Sequence, residues 1–525
     1  MRPEREYGHV RPPSASRLQE YAQRHRFSLT DDEATSLVPI LAGVMERFDT
    51  IDELPEPQIE ASSFPHRRIG RAPSAEEDPY NAFIRFCEVS GADDGPLAGL
   101  TAAVKDCIAV AGIPMTNGSR MLPTFVPTED AVVVDRILRA GATVVGKTNM
   151  EDLALGGGEG SVYGPARNPL DPRFGTGGSS SGSAAAVAAG MVDFALGADE
   201  AGSVRIPAAW CGLVGMKPTH GLVPSYGLAY MDHTFDHIGP LTRDVALNAT
   251  VLEAIAGPDW RDPQWMRGDP TPQPYTRGLS DGVSGLRIAV IEEALAWCTP
   301  DVRVAFEQAC DVLRSASAVI ETVSVPLWTH AATIRSGIQT FTARAMLDSG
   351  GVGYGHKGRI DVGALEVTAS QLRNSADDLA ILAKLNLLVA EHLRDQYLGV
   401  HYGKAQNLRL ELTRQIESAL GEAEVLLTPT TPTVAAELPT GRFTMIEMLA
   451  RHAAGSSTLN TCALDLSGHP ALTVPAGSGD EGLPVGIQII AGLFQERTAY
   501  RVGATVEDAG LWQAPRSSPA ARVAL

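Results

Sequence analysis

Gly177-Gly178-Ser179-Ser180-Ser181-Gly182-Ser183-Ala184-Ala185-Ala186 and, a little further on, Leu196-Gly197-Ala198-Asp199-Glu200-Ala201-Gly202-Ser203-Val204-Arg205-Ile206-Pro207-Ala208-Ala209 form the most informative stretch of the chain. Gly/Ser runs usually read as flexible linkers. This one passes at once into an Ala-rich helix former and then a strand, which a linker does not do. Small residues packed around several hydroxyls suit a place where backbone must approach a ligand closely. Gly178–Gly182 also satisfies G-x-S-x-G, which would nominate Ser180 as a nucleophile with Asp465 and His469 behind it. That motif needs a strand just before the elbow. The preceding Asn168-Pro-Leu-Asp-Pro-Arg-Phe-Gly-Thr cannot be one, so the elbow reading is discounted.

Working upstream, the chain has 6 lysines among 43 basic residues, so Arg supplies nearly all of its positive charge. Lys105 ends the apolar run Leu100-Thr-Ala-Ala-Val and is followed by Asp106. A lysine on a buried strand, in a chain that otherwise prefers Arg, is a candidate for a special role. Its bland reading is a strand-end side chain that snorkels to solvent.

Around these segments, β-rich runs alternate with helical ones. Leu100–Val104, Thr143–Val145, Val192–Ala198, Leu286–Ile291 and Val425–Leu427 read as strands, and Val132–Ala140 as a helix. The alternation predicts one large α/β domain over residues 91–515. The helical stretches Asp377–Tyr397 and Lys404–Leu420 are expected to cover one face of the sheet. Residues 1–90 read as a helical extension with a proline-rich connection. Within it, Thr30-Asp-Asp-Glu33 forms a capping box, and residues 14–29 suggest a further short helix.

Composition narrows the function. Of 525 residues, 62 are acidic and 43 basic, a formal net charge of −19. That balance predicts no nucleic-acid partner and no anionic-membrane partner, because no basic stripe is present to neutralise phosphates. No run approaches the length of a membrane span, and MRPEREYGHV has no apolar run behind its charges, which predicts no secretory leader and a cytoplasmic protein. The 6 cysteines are too scattered for a disulfide framework or a Cys-x-x-Cys metal site.

Taken together, Lys105-Asp106, Gly177–Gly190, Gly197–Cys211, Gly215-Met-Lys217-Pro218-Thr219 and Asp236-His237-Ile-Gly239-Pro240 resemble the amidase signature family of hydrolases. The resemblance covers about residues 95–510, and the amino-terminal extension looks more like the enantioselective bacterial members than the tRNA-linked ones. It implies a large mixed β-sheet covered by helices on both faces. It also implies a Ser-cisSer-Lys triad, which maps residue by residue to Ser203 as acyl-forming nucleophile, Ser179 as bridging serine and Lys105 as base. The chemistry fits those roles. A serine hydroxyl is a weak nucleophile until a base takes its proton, and burial favours the neutral lysine that can act as that base. The backbone N–H groups of Glu200, Ala201 and Gly202 are then expected to hold the oxyanion, with Asp199 and Arg205 bracing the loop as an ion pair.

Ser181 stands where the family usually has Gly, Glu200-Ala201 where it often has Thr-Gly, and Cys107 where Asn is common. Glu200 is expected to use only its backbone, with its carboxylate turned away, so that Glu200→Thr should be mild. Cys107 has a second reading as a reactive thiolate. His233 and His237, four apart, could be metal ligands, but no third ligand group accompanies them and no metal is expected. Trp210, Tyr226, Phe235, Trp328, Phe341 and Tyr354 are candidate pocket aromatics, of which two or three should touch substrate.

The reading is a cofactor-independent amidase acting on a small carboxamide or a related hydrazide, anilide, carbamate or ester. Water would be its co-substrate and a homodimer its assembly. The alternatives are the glutamine-amidase subunit of a tRNA-dependent amidotransferase, and a non-catalytic binding protein on the same fold.

Overall fold

A computed structural model describes residues 10–57, 59, 63–122, 125–155, 160–262, 271–355, 357–439, 457–513 and 522–523. The chain divides into two compact units, Met1–Ala61 and Ser62–Leu525. In the first, the helix Ala15–Arg24 starts on Ser14, whose hydroxyl accepts from the Arg17 N–H. The second helix, Asp31–Glu53, opens with the anticipated capping box: Thr30 accepts from the Glu33 N–H while the Glu33 carboxylate accepts from the Thr30 N–H.

The second unit is built on one 12-stranded sheet. Its strands are β1 (Arg67–Arg71), β2 (Phe83–Val89), β3 (Thr101–Lys105), β4 (Thr143–Thr148), β5 (Phe194–Asp199), β6 (Val214–Lys217), β7 (His237–Thr242), β8 (Arg287–Ile291), β9 (Val319–Val323), β10 (Val425–Pro429), β11 (Ala471–Ser478) and β12 (Pro484–Ala491). They lie in the order β1-β2-β4-β3-β5-β7-β6-β11-β12-β10-β8-β9. The sheet is mixed: β4-β3-β5 and β10-β8-β9 are parallel, and the other pairings are antiparallel.

Side chains alternate between the two sides. Val425, Leu427, Ile487 and Ile489 join one buried cluster, while Leu426 and Ile490 join another. Both faces of the central strands are therefore covered, which is why such strands read as unbroken apolar runs.

Two expectations change. The boundary falls at residue 61 rather than 90, because β1 pairs with β2 and β2 pairs with β4, which makes β1 the edge strand of the sheet and β2 its inner neighbour. The proline-rich connection hid them. The exposed, Arg-rich sequence of β1 gave no apolar alternation for it to be recognised by. The predicted face-covering helix at 377–397, observed as Ile381–Tyr397, packs chiefly on the helix Ala331–Asp348 rather than on the sheet, and its Leu388 is 70% exposed. Its companion, Val400–Glu422, does reach β8 and β10.

Candidate functional site

The parallel neighbours β3 and β5 end side by side, with Val104 opposite Leu196. In open α/β sheets, ligands gather beyond the carboxyl ends of such strands. Lys105 is the last residue of β3 and wholly buried. Its Nζ donates to Ser179 Oγ at 2.7 Å and to the Ala198 carbonyl of β5 at 3.3 Å. Ser179 follows a cis peptide bond from Gly178 and precedes the helix Ser181–Ala188. That helix can lie close to the sheet because its second residue is Gly182: a β-carbon there would collide with the Ala82 carbonyl oxygen. The Ser180 N–H donates to the Ser203 carbonyl at 3.3 Å, which ties the two signature segments together. Lys105 and Ser179 are buried, whereas Ser203 is partly exposed. The structure thus brings all three expected triad residues to one end of β3 and β5.

The loop after β5 is organised by Asp199. Its carboxylate accepts from the N–H groups of Gly202 (2.6 Å), Val204 (3.0 Å) and Arg205 (3.3 Å). It also accepts from Arg205 Nε at 3.0 Å and Nη2 at 2.8 Å. Arg205 reaches further, to Asp465 at 2.7 Å, Gln488 at 2.8 Å and the Thr461 carbonyl at 2.8 Å. Burial opposes the Asp199 charge, but Arg205 outweighs it and holds the carboxyl well below the usual range.

This arrangement corrects one expectation. The Gly202 N–H is committed to Asp199 and does not face a ligand. Among the described residues, the N–H groups of Glu200, Ala201 and Ser203 make no hydrogen bond. Gly202 takes the positive φ of 123°, and Ala201 stays at negative φ. The β-carbon of Ala201 is therefore free of the left-handed penalty.

Glu200 does turn its carboxylate away, but into a partnership that no local pattern announces. It pairs with Arg335 of the helix Ala331–Asp348, with Asp232 beside them. The two side chains are 10% and 17% exposed. Burial pushes the Glu200 carboxyl up while Arg335 pulls it down.

Behind Ser179 stands Glu151, also missed by sequence reasoning. It is wholly buried, and among the described residues neither of its carboxylate oxygens has a hydrogen-bond partner. Its carboxylate occupies the space where a β-carbon of Gly178 would be, 2.5 Å from Oε2. Burial pushes the Glu151 carboxyl up to about 7, opposed by the charge of Lys105.

The rival nucleophile Ser180 is buried, and its hydroxyl bonds the Ala198 carbonyl at 3.2 Å. Its supposed partners are engaged elsewhere: Asp465 with Arg205, and His469 with Ser467 at 3.1 Å. Cys107 is buried, and burial pushes its thiol up to about 11, which leaves no reactive thiolate. His233 and His237 do not converge. The first meets the Val352 carbonyl; the second donates from Nδ1 to the Phe235 carbonyl at 2.7 Å and accepts from Lys217 Nζ at 3.2 Å.

An apolar pocket opens four residues beyond Lys105, lined among others by Ala109, Met115, Phe125, Tyr226, Met231 and Met346. Its lining includes none of the triad residues, but Ala109 lies four residues after Lys105 and Leu153 two residues after Glu151. Of the six candidate aromatics, only Tyr226 lines it. Phe235 and Trp328 are core, Trp210 is buried, Phe341 meets Tyr402 edge to face, and Tyr354 is 84% exposed. Arg359 also lines the pocket and pairs with Glu129 at 2.9 Å.

The Amidase family model matches residues 85–499. The glutamyl-tRNA(Gln) amidotransferase A-subunit from an Exiguobacterium species is 37% identical over 464 residues, 88% of this chain and 94% of that protein. An enantioselective amidase from Rhodococcus rhodochrous is 35% identical over 511 residues, 96% of this chain and 97% of that protein. Among solved structures, native peptide amidase from Stenotrophomonas maltophilia is similar with a TM-score of 0.65 at 30% identity, over 81% of this chain and 85% of that one.

Proposed function

This chain belongs to the amidase family, and from that premise we propose that it hydrolyses the C–N bond of a small, uncharged carboxamide through an acyl-enzyme on Ser203. The observation that carries the reading is the buried Lys105–Ser179 hydrogen bond of 2.7 Å, set beside the more accessible Ser203. Ser203 Oγ attacks the carbonyl carbon. Its proton passes to Ser179, which hands its own proton to Lys105 Nζ. The N–H groups of Glu200 and Ala201 stabilise the oxyanion, with Ser203 N–H at hand. Lys105 then returns the proton through Ser179 to the leaving nitrogen, the amine departs, and water repeats the relay to release the acid.

The apolar pocket is assigned to the acyl group. Its cation Arg359 is already neutralised by Glu129, which favours an uncharged acyl chain over one bearing a carboxylate. That speaks against glutamine and hence against the amidotransferase reading. The greater reach of the enantioselective-amidase match does so too: 96% coverage of 525 residues must include most of the first 61. The tRNA in the other relative's name keeps the second reading, and with it a nucleic-acid-linked partner, as an outcome of the test.

The whole chain is treated with a fluorophosphonate probe and screened on aliphatic and aryl carboxamides alongside glutamine. Labelling of Ser203 with turnover of apolar amides supports the proposal. Labelling with turnover of glutamine alone supports the amidotransferase reading, and no labelling supports a binding protein.

A further inference from the structure

Glu151 has a position that demands an explanation. A wholly buried carboxylate with both oxygens unpartnered among the described residues is costly, and this one is pressed on the Gly178 backbone, one residue before the serine that Lys105 touches. Among the described residues, Lys105 on β3 is the charged group acting on it. Ser181 lies beside it outside hydrogen-bond geometry. Gly160 lies past its Cγ, and the neighbouring Asp152 faces Ser119 and Arg120 instead.

Resting on the reading of Lys105 as the base, we propose that Glu151 is a positioning residue that holds the Lys105 ammonium in place while the acyl-enzyme forms. The proton leaves Ser203 Oγ, is relayed by Ser179 and ends on Lys105 Nζ; Glu151 neither gains nor loses it. A fixed anion facing a charge that appears only during the reaction stabilises the transition state more than the ground state. Burial pushes the Glu151 carboxyl up to about 7, so the anion is lost as pH falls through that value, which makes the role measurable in the pH profile. Burial also strengthens the effect of the ionised form, because a low-dielectric surrounding screens the charge poorly.

The test is the pH dependence of kcat/KM and kcat for the wild-type chain and Glu151→Gln on one hydrolysed amide. The expected result is loss of the acid limb near pH 7 that Glu151 ionisation supplies, together with a plateau kcat lowered about 10- to 100-fold, at unchanged melting temperature. A Glu151→Gln protein with the wild-type limb and rate overturns the proposal. So does one that is merely slower, with its limb unmoved. Should Glu151→Gln fail to fold, Glu151→Asp serves instead: a carboxylate withdrawn by one methylene should keep an acid limb but lower the plateau kcat, and wild-type kinetics in that variant overturn the proposal. Failure of the parent reading is distinguishable, since it would show as wild-type hydrolysis that survives Ser203→Ala.

Discussion

Ser203 sits partly exposed beyond the end of β5, while Lys105 and Ser179 lie buried behind it, and each position makes a separate demand. Ser203→Ala should abolish the acyl-enzyme: mass spectrometry on a slow substrate should find the adduct on the Ser203 peptide of the wild type and nowhere in the variant. Lys105→Arg should leave the rate as low as Lys105→Ala in steady-state assays, at least about 100-fold down. A guanidinium keeps its proton and cannot serve as a base. Glu200 behaves differently from its sequence reading. Replacing it by Thr strands Arg335 in a largely buried site, so Glu200→Thr is not mild: the expected cost is about 2 kcal/mol in denaturant melts. The double variant Glu200→Thr/Arg335→Met should recover part of that loss, and strict additivity would disprove the coupling. Lys105, Ser179 and Ser203 were legible because they stand in contiguous, unusual segments. Arg335 was not, because 135 residues separate it from Glu200 and an arginine on a helix carries no local mark of its partner.

Among elements, the helix Arg205–Cys211, the helix Cys462–Ser467 and β12 are joined by one buried guanidinium, bonded to Asp199, Asp465 and Gln488. Thr461 adds a hydrogen bond from its hydroxyl to the Ala201 carbonyl at 2.5 Å, so the carboxyl-terminal part of the chain supports the nucleophile loop directly. Asp465→Ala should cost about 3 kcal/mol, because it leaves Arg205 buried with one carboxylate fewer. It should also lower kcat more than it raises KM, since the loop that shapes the oxyanion site loses a brace. An effect on stability alone would confine Asp465 to the core. The strands that sequence reading located were those with apolar runs, such as β3, β5 and β10. β11 and β12 were passed over because Pro475 and Gly486 interrupt their pattern, yet they are interior strands of the sheet. Antiparallel pairing of β11 with β12 places Pro475 opposite Gly486, and their register is set by long-range pairing that no short window contains.

For the whole molecule, pH and truncation are the informative variables. Burial, helped by the charge of Lys217, lowers His469 from 6.5 to about 4. Between those values the unfolded chain binds a proton that the folded chain refuses. This contribution is complete above about pH 6.5 and is lost progressively as pH falls to 4, about 3 kcal/mol in all. Denaturant melts of the wild type against His469→Gln should show the difference shrinking across that window and constant above it. Removal of residues 1–61 should leave Ser203 labelling intact, because the sheet begins at Arg67. It should also dissociate the assembly seen by light scattering if the exposed Ile40, Ile51 and Leu54 of the first unit meet a second copy across the expected dimer interface; an unchanged assembly would show that they do not. By itself the sequence determined what lies in consecutive residues: the Gly/Ser segment and its helix, the strand bearing Lys105, the α/β class and the capped amino-terminal helix. Short-range backbone preference and apolar periodicity decide these. Only the tertiary structure decided that Arg205 reaches Asp465 and Gln488, that Glu200 answers to Arg335, and that Glu151 fills the space Gly178 leaves. Each depends on how distant segments close on one another, and the partner of a buried polar group is set by that closure rather than by its neighbours in the chain.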